Sequence, residues 1–289
     1  MSTSSWWAGL VDDAAVFPPG NAPLAEAVPT YGARRGEARD LVASFVVTDT
    51  DLPGVRDAGG EGVPVSVVVS GGAGAVPGAC RLARKAGTPL HALETALRDL
   101  DDLPGNTRRV VAAVDAARGD GLLEEEVPVF VELPPTALDR GPAAGWLAAA
   151  DEVAMLAEDG FRLKLRTGGT EADRFPTAAT LAAWIDAALD RETPFKCTAG
   201  LHHAVRTTDP DTGFEHHGFL NVLLATRAAF DGAATDEVVA LLEERDGTVL
   251  AGRRDDLPGA RRWFTSFGSC SVSEPLDDLT ALGLLEDAR

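Results

Sequence analysis

Lysine is nearly absent from this chain. Of 26 basic side chains among 289 residues, only Lys85, Lys164 and Lys196 are lysine, and the rest are arginine. Arginine stays protonated in proteins, whereas a desolvated lysine can lose its proton and act as a nucleophile. The places where lysine persists are therefore the ones to follow. Cysteine is as scarce. Cys80, Cys197 and Cys270 are too few and too scattered for a disulfide framework. They form no C-x-x-C pair, which excludes a cysteine-type structural zinc and points to a reducing cytoplasm. No run approaches the roughly 20 apolar residues that span a bilayer. Met1–Ser5 carries no basic side chain ahead of an apolar stretch, so the opening does not read as a signal peptide. Positive charge is in short supply too: 45 acidic against 26 basic side chains give a net charge of −19. Such a surface repels phosphate backbones and anionic lipid, so neither nucleic acid nor membrane is an expected partner. A local basic pocket can still receive a small anion. There is no G-x-G-x-x-G or Walker loop, and no cofactor is expected.

What is present is a strand–helix rhythm. Eight segments read as strands: Gly9–Ala14, Leu41–Val47, Pro64–Ser70, Leu90–Leu97, Pro128–Leu133, Phe161–Arg166, Phe195–Ala199 and Phe264–Ser269. The fourth, LHALETAL, reads equally as helix. Helical periodicity is clearest over Thr177–Arg191, where Leu181, Trp184, Ile185, Ala188 and Leu189 form one apolar face. Arg108–Ala117, Gly145–Asp159, Phe219–Phe230, Asp236–Arg245 and Pro275–Leu285 read as helices as well. Eight such units in 289 residues, with no dividing linker, predict one domain over 1–289: a (β/α)₈ TIM barrel with a closed parallel sheet. Trp6 and Trp7 are expected to cap the barrel or to meet a second copy in a homo-oligomer.

Strand parity sorts the polar residues. In FRLKLRT the apolar set Phe161, Leu163 and Leu165 must face the helices, so Lys164 and Arg166 face the barrel axis. In PFKCTAG the same logic turns Lys196, Thr198 and Gly200 inward, and in PVFVELP it turns Phe130 and Glu132 inward. Two lysines, an arginine and a carboxylate thus converge near the C-terminal mouth, where barrel enzymes build their sites. Repulsion and desolvation are expected to lower one lysine pKa from about 10.4 toward neutrality, the condition for attack on a carbonyl. The competing reading is that both lysines only pair with Glu132, Glu94, Asp12 or Asp13.

These segments resemble, in order, the deoxyribose-phosphate aldolase family of class I aldolases. LVDDAAVFPP (Leu10–Pro19) is similar to that family's acidic first strand. KLRTGG (Lys164–Gly169) resembles its sixth-strand K-x-x-T-G segment, KCTAGLHH (Lys196–His203) its seventh-strand segment, and FGSCS (Phe267–Ser271) its eighth-strand anion-binding segment. The resemblance implies Lys164 as Schiff-base nucleophile and Lys196 as its electrostatic partner. It implies Gly200, Gly268 and Ser269 in an anion-binding loop. Glu94 is the nearest counterpart of the family's proton shuttle, with Glu132, Asp12 and Asp13 as further candidates. Arg166, Thr167, Gly168, Thr198, His202 and His203 complete the expected substrate-binding set. Ala199-Gly200 departs from the family's glycine pair, and the loop after strand seven carries an additional histidine-rich segment.

That segment supports a second reading. His202, His203, His216 and His217, with Glu215, are chemically able to hold a divalent metal for a hydrolase or isomerase, although their spacing matches no metal signature. No metal is therefore assigned, and His202 and His203 are read as acid/base or binding residues. A third reading is a non-catalytic barrel that binds an anion through Lys164, Arg166 and Lys196. Cys270 has no activating partner visible in the sequence.

Overall fold

The computed structural model describes residues 5–136, 138 and 143–285; Met1–Ser4, of the segment weighed as a signal peptide, lie outside them. Eight parallel strands close into a barrel. They are β1 (Val11–Asp13), β2 (Val42–Thr48), β3 (Val65–Val68), β4 (Leu90–Ala96), β5 (Val129–Glu132), β6 (Phe161–Arg166), β7 (Phe195–Thr198) and β10 (Phe264–Ser269). Each strand pairs with its neighbour in sequence, and β10 closes the ring between β7 and β1. A two-stranded hairpin, β8 (Thr207–Thr208) and β9 (Glu215–His216), interrupts the order after β7. The expected TIM barrel is thus observed, with the eight strands where the sequence places them to within a few residues.

The helices are α1 (Leu24–Ala33), α2 (Glu37–Leu41), α3 (Leu52–Asp57), α4 (Val76–Ala86), α5 (Leu103–Gly119), α6 (Ala143–Ala154), α7 (Ala178–Leu189), α8 (Phe219–Phe230), α9 (Thr235–Glu243), α10 (Gly247–Ala251), α11 (Leu257–Ala260) and α12 (Ser273–Ala281). Local chemistry sets several boundaries. Asp102 caps α5 by accepting from the Gly105 amide, and Thr177 caps α7 by accepting from that of Thr180. Gly87 ends α4 in the left-handed conformation. None of the described helices is long and apolar enough to cross a membrane.

LHALETAL resolves as strand because tertiary pairing overrides its helical propensity. Glu94 lies opposite Val68 on one side and Phe130 on the other. Alternation then does the sorting. Leu163, Leu165, Phe195, Cys197 and Phe267 are fully buried beneath the helices, while the polar set turns to the axis. In β10 a register shift between Phe264 and Phe267 lets these two rings share the outer face, leaving Ser266 and Gly268 inside. Phe195, Phe264, Phe267 and Phe219 continue as a column of stacked rings from the sheet to α8.

Two indoles brace the loop that leaves β5. Trp146 of α6 and Trp184 of α7 stack with ring centroids 6.5 Å apart. Their Nε1 groups donate to the Pro134 and Thr136 carbonyls at 3.1 and 2.9 Å. Replacing Trp184 by alanine removes this packing and leaves the half-buried Thr136 carbonyl without its donor. Urea unfolding of Trp184→Ala is expected to show a loss of about 3–5 kcal/mol. A loss below about 1 kcal/mol would mean that the two rings do not brace the loop.

Candidate active site

The barrel axis carries one alternating ladder of charge. Arg166 Nε donates to Glu132 Oε1 at 2.6 Å, and Lys164 Nζ lies 2.9 Å from Glu132 Oε2. Lys164 Nζ also lies 2.8 Å from Glu94 Oε2, and the other oxygen of Glu94 accepts from Lys196 Nζ at 2.6 Å. Lys196 Nζ reaches Asp12 Oδ2 at 2.6 Å. Asp12 also accepts from Ser44 and Ser266, both at 2.7 Å, and Ser44 bonds onward to Ser66 at 2.7 Å. Strand register makes this possible: Lys164 lies directly opposite Lys196 on one side and Glu132 on the other. Lys196 Nζ further sits 5.1 Å from the centre of the Phe130 ring, a cation–π distance.

Three carboxylates face three cations, so the buried network is formally neutral. This neutrality overturns the expectation of a lysine pKa lowered toward neutrality. Burial does lower the Lys164 pKa, but Glu132 and Glu94 outweigh burial and the repulsion from Lys196, and the net direction is upward. Burial likewise opposes the charge on Lys196, and Asp12 and Glu94 again overcome it and hold the group well above the ordinary lysine range. The resting state therefore contains two ammonium groups. Sequence parity places the lysines together, and of the four partners named in the competing reading Glu132, Glu94 and Asp12 are the ones that hold them.

Other expected residues distribute unevenly. Asp12 belongs to the ladder, and Asp13 does not. The Asp13 side chain points out of the barrel to Arg34, 2.6 Å away, and burial raises its pKa in spite of that partner. Thr167, Gly168 and Gly200 clasp β6 to β7. Thr167 Oγ1 donates to the Ala199 carbonyl at 2.6 Å, and a Cβ on Gly168 would sit 2.7 Å from Gly200 Cα. Ala199 and Gly200 both adopt positive φ, +63° and +74°. Only glycine does so without strain, so Ala199 stores strain at the rim of the site. Thr198 and Gly268 pair across the mouth. Ser269 lies beside them, but its hydroxyl is bound to the Ser271 carbonyl at 2.6 Å.

His202 and His216 approach each other, with ring centres 6.2 Å apart, but the histidines do not gather on one point. His202 bonds Glu274 at 3.0 Å and His203 bonds Asp278 at 3.2 Å. His216 packs on Phe175, with ring centres 4.7 Å apart. His217 is buried, and burial drives its pKa down to about 4. Its neutral ring donates from Nε2 to the Pro176 carbonyl at 2.8 Å and accepts at Nδ1 from Arg206 at 3.1 Å. Glu215 is taken up by Arg206 and Arg245. Among the described residues no three His, Cys, Asp or Glu side chains stand where they could hold one metal ion. Cys270 does have a neighbour that the sequence did not disclose: its Sγ lies 3.8 Å from both ring nitrogens of His202. Burial raises the thiol pKa, so the contact does not generate a thiolate.

Sequence reasoning missed Ser44, Ser66 and Ser266. Ser44 and Ser66 are each the one serine of a largely apolar strand, and that is the signal that could have found them; Ser266 shares its strand with Thr265 and Ser269 and carries no such signal.

No family model matches this chain, and no curated protein matches it. Among solved structures it is similar to dihydropteroate synthase of Xanthomonas albilineans. The identity is 14%, the alignment covers 98% of this chain and 95% of that one, and the TM-score is 0.43. A mandelate oxidase mutant is 13% identical over 94% of this chain and 74% of that one, with a TM-score of 0.40. These likenesses carry nothing about chemistry, and the barrel assignment rests on the strand order itself.

Glu94 is the member of the ladder whose loss should cost most. Burial raises its pKa, but Lys164 and Lys196 together overcome burial and bring it from 4.5 to about 2. A carboxylate lowered in the folded state contributes stability that is complete above its unfolded value. That contribution disappears as pH falls from about 4.5 through about 2. Glu94→Gln leaves an unbalanced buried cation, and urea unfolding at pH 7 should show a loss of about 3–5 kcal/mol. The variant should also show a shallower decline than wild type between pH 4.5 and 2. Equal stability of the two proteins at pH 7, or parallel acid curves, would contradict this reading of Glu94.

Proposed function

We propose that this chain is an enzyme, a cofactor-independent class I lyase that forms a Schiff base between Lys164 and a small carbonyl compound. One observation carries the reading. Lys164 is a buried lysine held between two carboxylates, Glu94 and Glu132, at hydrogen-bonding distance from both, on the axis side of a barrel strand two residues before its C-terminal end. Two acceptors in direct contact give its protons somewhere to go. Resemblance of the KLRTGG and KCTAGLHH segments to the deoxyribose-phosphate aldolases supports the same assignment.

In this reading Lys164 transfers a proton to a neighbouring carboxylate and attacks the carbonyl carbon. The carbonyl oxygen departs as water, and the resulting iminium withdraws electrons from the adjacent carbon–carbon bond. Glu94 touches both ammonium groups and is placed to carry protons between them. Lys196, fixed by Asp12 and by the serines behind Asp12, keeps a permanent positive charge beside the nitrogen that must become neutral. A buried ion-pair network with no catalytic role would have no need for lysine specifically, in a chain that uses arginine for nearly every other basic side chain.

Borohydride reduction in the presence of a panel of small aldehydes and ketones is expected to leave a covalent adduct that mass spectrometry maps to Lys164. Lys164→Arg should abolish both adduct and turnover while the protein stays folded, because the guanidinium keeps its charge and forms no imine. Activity should survive excess EDTA. Adducts that never map to Lys164, or near-normal turnover by Lys164→Arg, would remove the Schiff-base assignment. Loss of activity with a chelator, restored by metal, would favour the histidine-based reading.

A further inference from the structure

The resting ladder poses a problem that any imine chemistry here must solve. Lys164 is an ammonium held by two carboxylates, and an ammonium has no lone pair with which to attack. Something about the substrate must release it. The geometry offers one route, through Arg166.

Arg166 stands two residues beyond Lys164 on β6 with the same inward parity, about 6.6 Å nearer the mouth. Its side chain is 30% exposed, against 4% for Lys164 and 1% for Lys196. It is therefore the one cation of the ladder within direct reach of an arriving molecule. Only its Nε is engaged, by Glu132 Oε1; the two Nη groups make no hydrogen bond among the described residues. Glu132 meanwhile holds Lys164 with its other oxygen. One carboxylate thus separates the reacting nitrogen from the guanidinium.

That separation selects a substrate. A molecule whose carbonyl carbon sits at Lys164 Nζ and whose carboxylate is on the adjoining carbon would bring that carboxylate to the Arg166 Nη groups. A guanidinium is built to bind a carboxylate through two parallel donors. We propose that the substrate is a 2-oxo acid, that Arg166 binds its carboxylate, and that this binding frees Lys164 to react. This rests on the Schiff-base reading above.

The release follows from charge. Burial opposes the ionised form of Glu132, but in the resting protein Lys164 and Arg166 together outweigh it and lower its proton affinity. When a substrate carboxylate neutralises Arg166, Glu132 loses one of the two cations that hold it ionised. Its proton affinity rises, and it becomes able to take a proton from Lys164 over 2.9 Å. The freed Nζ lone pair then forms a bond to the keto carbon, and the carbonyl π pair moves to oxygen. Of the three ammonium protons, one remains on the iminium nitrogen and two leave with the oxygen as water, the proton parked on Glu132 being one of them. Charge is conserved, and no oxidant or reductant is required. The nucleophile is thereby kept protonated until a molecule with the right anionic group is bound.

The test compares pyruvate with methyl pyruvate, the same ketone without the charge, and with dihydroxyacetone phosphate, a phosphorylated ketone. Each is incubated with the intact protein and sodium cyanoborohydride, and the rate of adduct formation on Lys164 is followed by mass spectrometry. The ester is the more electrophilic ketone, so intrinsic reactivity runs against the expected order. Wild type should be labelled by pyruvate at least tenfold faster than by methyl pyruvate or dihydroxyacetone phosphate. Arg166→Gln should lose the preference: it labels with pyruvate no faster than with the ester, and its ester rate rises above that of wild type because the cation that helped hold Glu132 ionised is gone. Arg166→Lys, which keeps the charge without the fork, should fall between. Labelling of wild type by the ester or the phosphate as fast as by pyruvate would overturn the proposal and leave the Schiff-base reading standing. So would an Arg166→Gln variant that still labels with pyruvate at least tenfold faster than with the ester. Absence of any adduct at Lys164 with all three probes would overturn both. The comparison of probes on wild type needs no variant, so the outcome does not depend on whether Arg166→Gln folds.

Discussion

Glu94 holds two lysines at once, one on each carboxylate oxygen, and the interior of this barrel is organised around that bridge. Two ammonium groups on adjacent strands, directly opposite each other, would repel and would resist burial. Glu94 converts that repulsion into two attractions, and Asp12 and Glu132 complete the balance at either end. Further polar residues on the axis support these carboxylates. Ser44 and Ser266 bind Asp12, Ser66 backs Ser44, and Arg166 binds Glu132. The outer layer is conventional apolar packing of helices on strands, and its role is to hold the register that keeps the six charges in sequence.

This balance shapes what chemistry is available. A lysine in an uncompensated apolar pocket is ready to react at all times, whereas Lys164 is stored as its ammonium and has to be released. On the proposed Schiff-base reading, storage would protect it from adventitious carbonyl compounds and make activation depend on whatever alters the neighbouring carboxylates. Arg166, at the wet end of the ladder, is where an incoming anion can make that change. The histidine-bearing segment after β7 lies outside this logic. His217 is a neutral structural residue that ties the hairpin to the loop preceding α7, and His202 and His203 pair with acidic residues of α12.

Much of this architecture was legible in the sequence because parity is a strong constraint. The apolar members of FRLKLRT and PFKCTAG leave no choice about which way Lys164 and Lys196 point. Phe161–Arg166 and Phe264–Ser269 match the sequence reading to the residue; for the first, Gly160 and Gly168-Gly169 mark the flanks. The short helices α2, α3, α10 and α11 gave no periodic signal because each spans six residues or fewer. α1 carries an internal proline, which disguises it. The charge state of the lysines was out of reach for a different reason. It depends on which acidic residues lie across the barrel, and Glu94 sits in a segment whose strand character only its two neighbours decide. Asp12 and Asp13 could not be separated by sequence, because a three-residue strand offers too little alternation to fix parity.

The scarcity of lysine makes the central claim directly measurable. Protein labelled with ¹⁵N and ¹³C only in lysine yields three side-chain signals, and a Lys85→Arg variant identifies the exposed one. Following the Nζ and Cε shifts with pH, the two barrel lysines should remain ammonium throughout the neutral range and past the ordinary lysine value of 10.5. Addition of pyruvate should move one of them, and only one, to an iminium shift. A barrel lysine that titrates near neutrality in the unliganded protein would contradict the account, because the three carboxylates would then not be holding both charges in place.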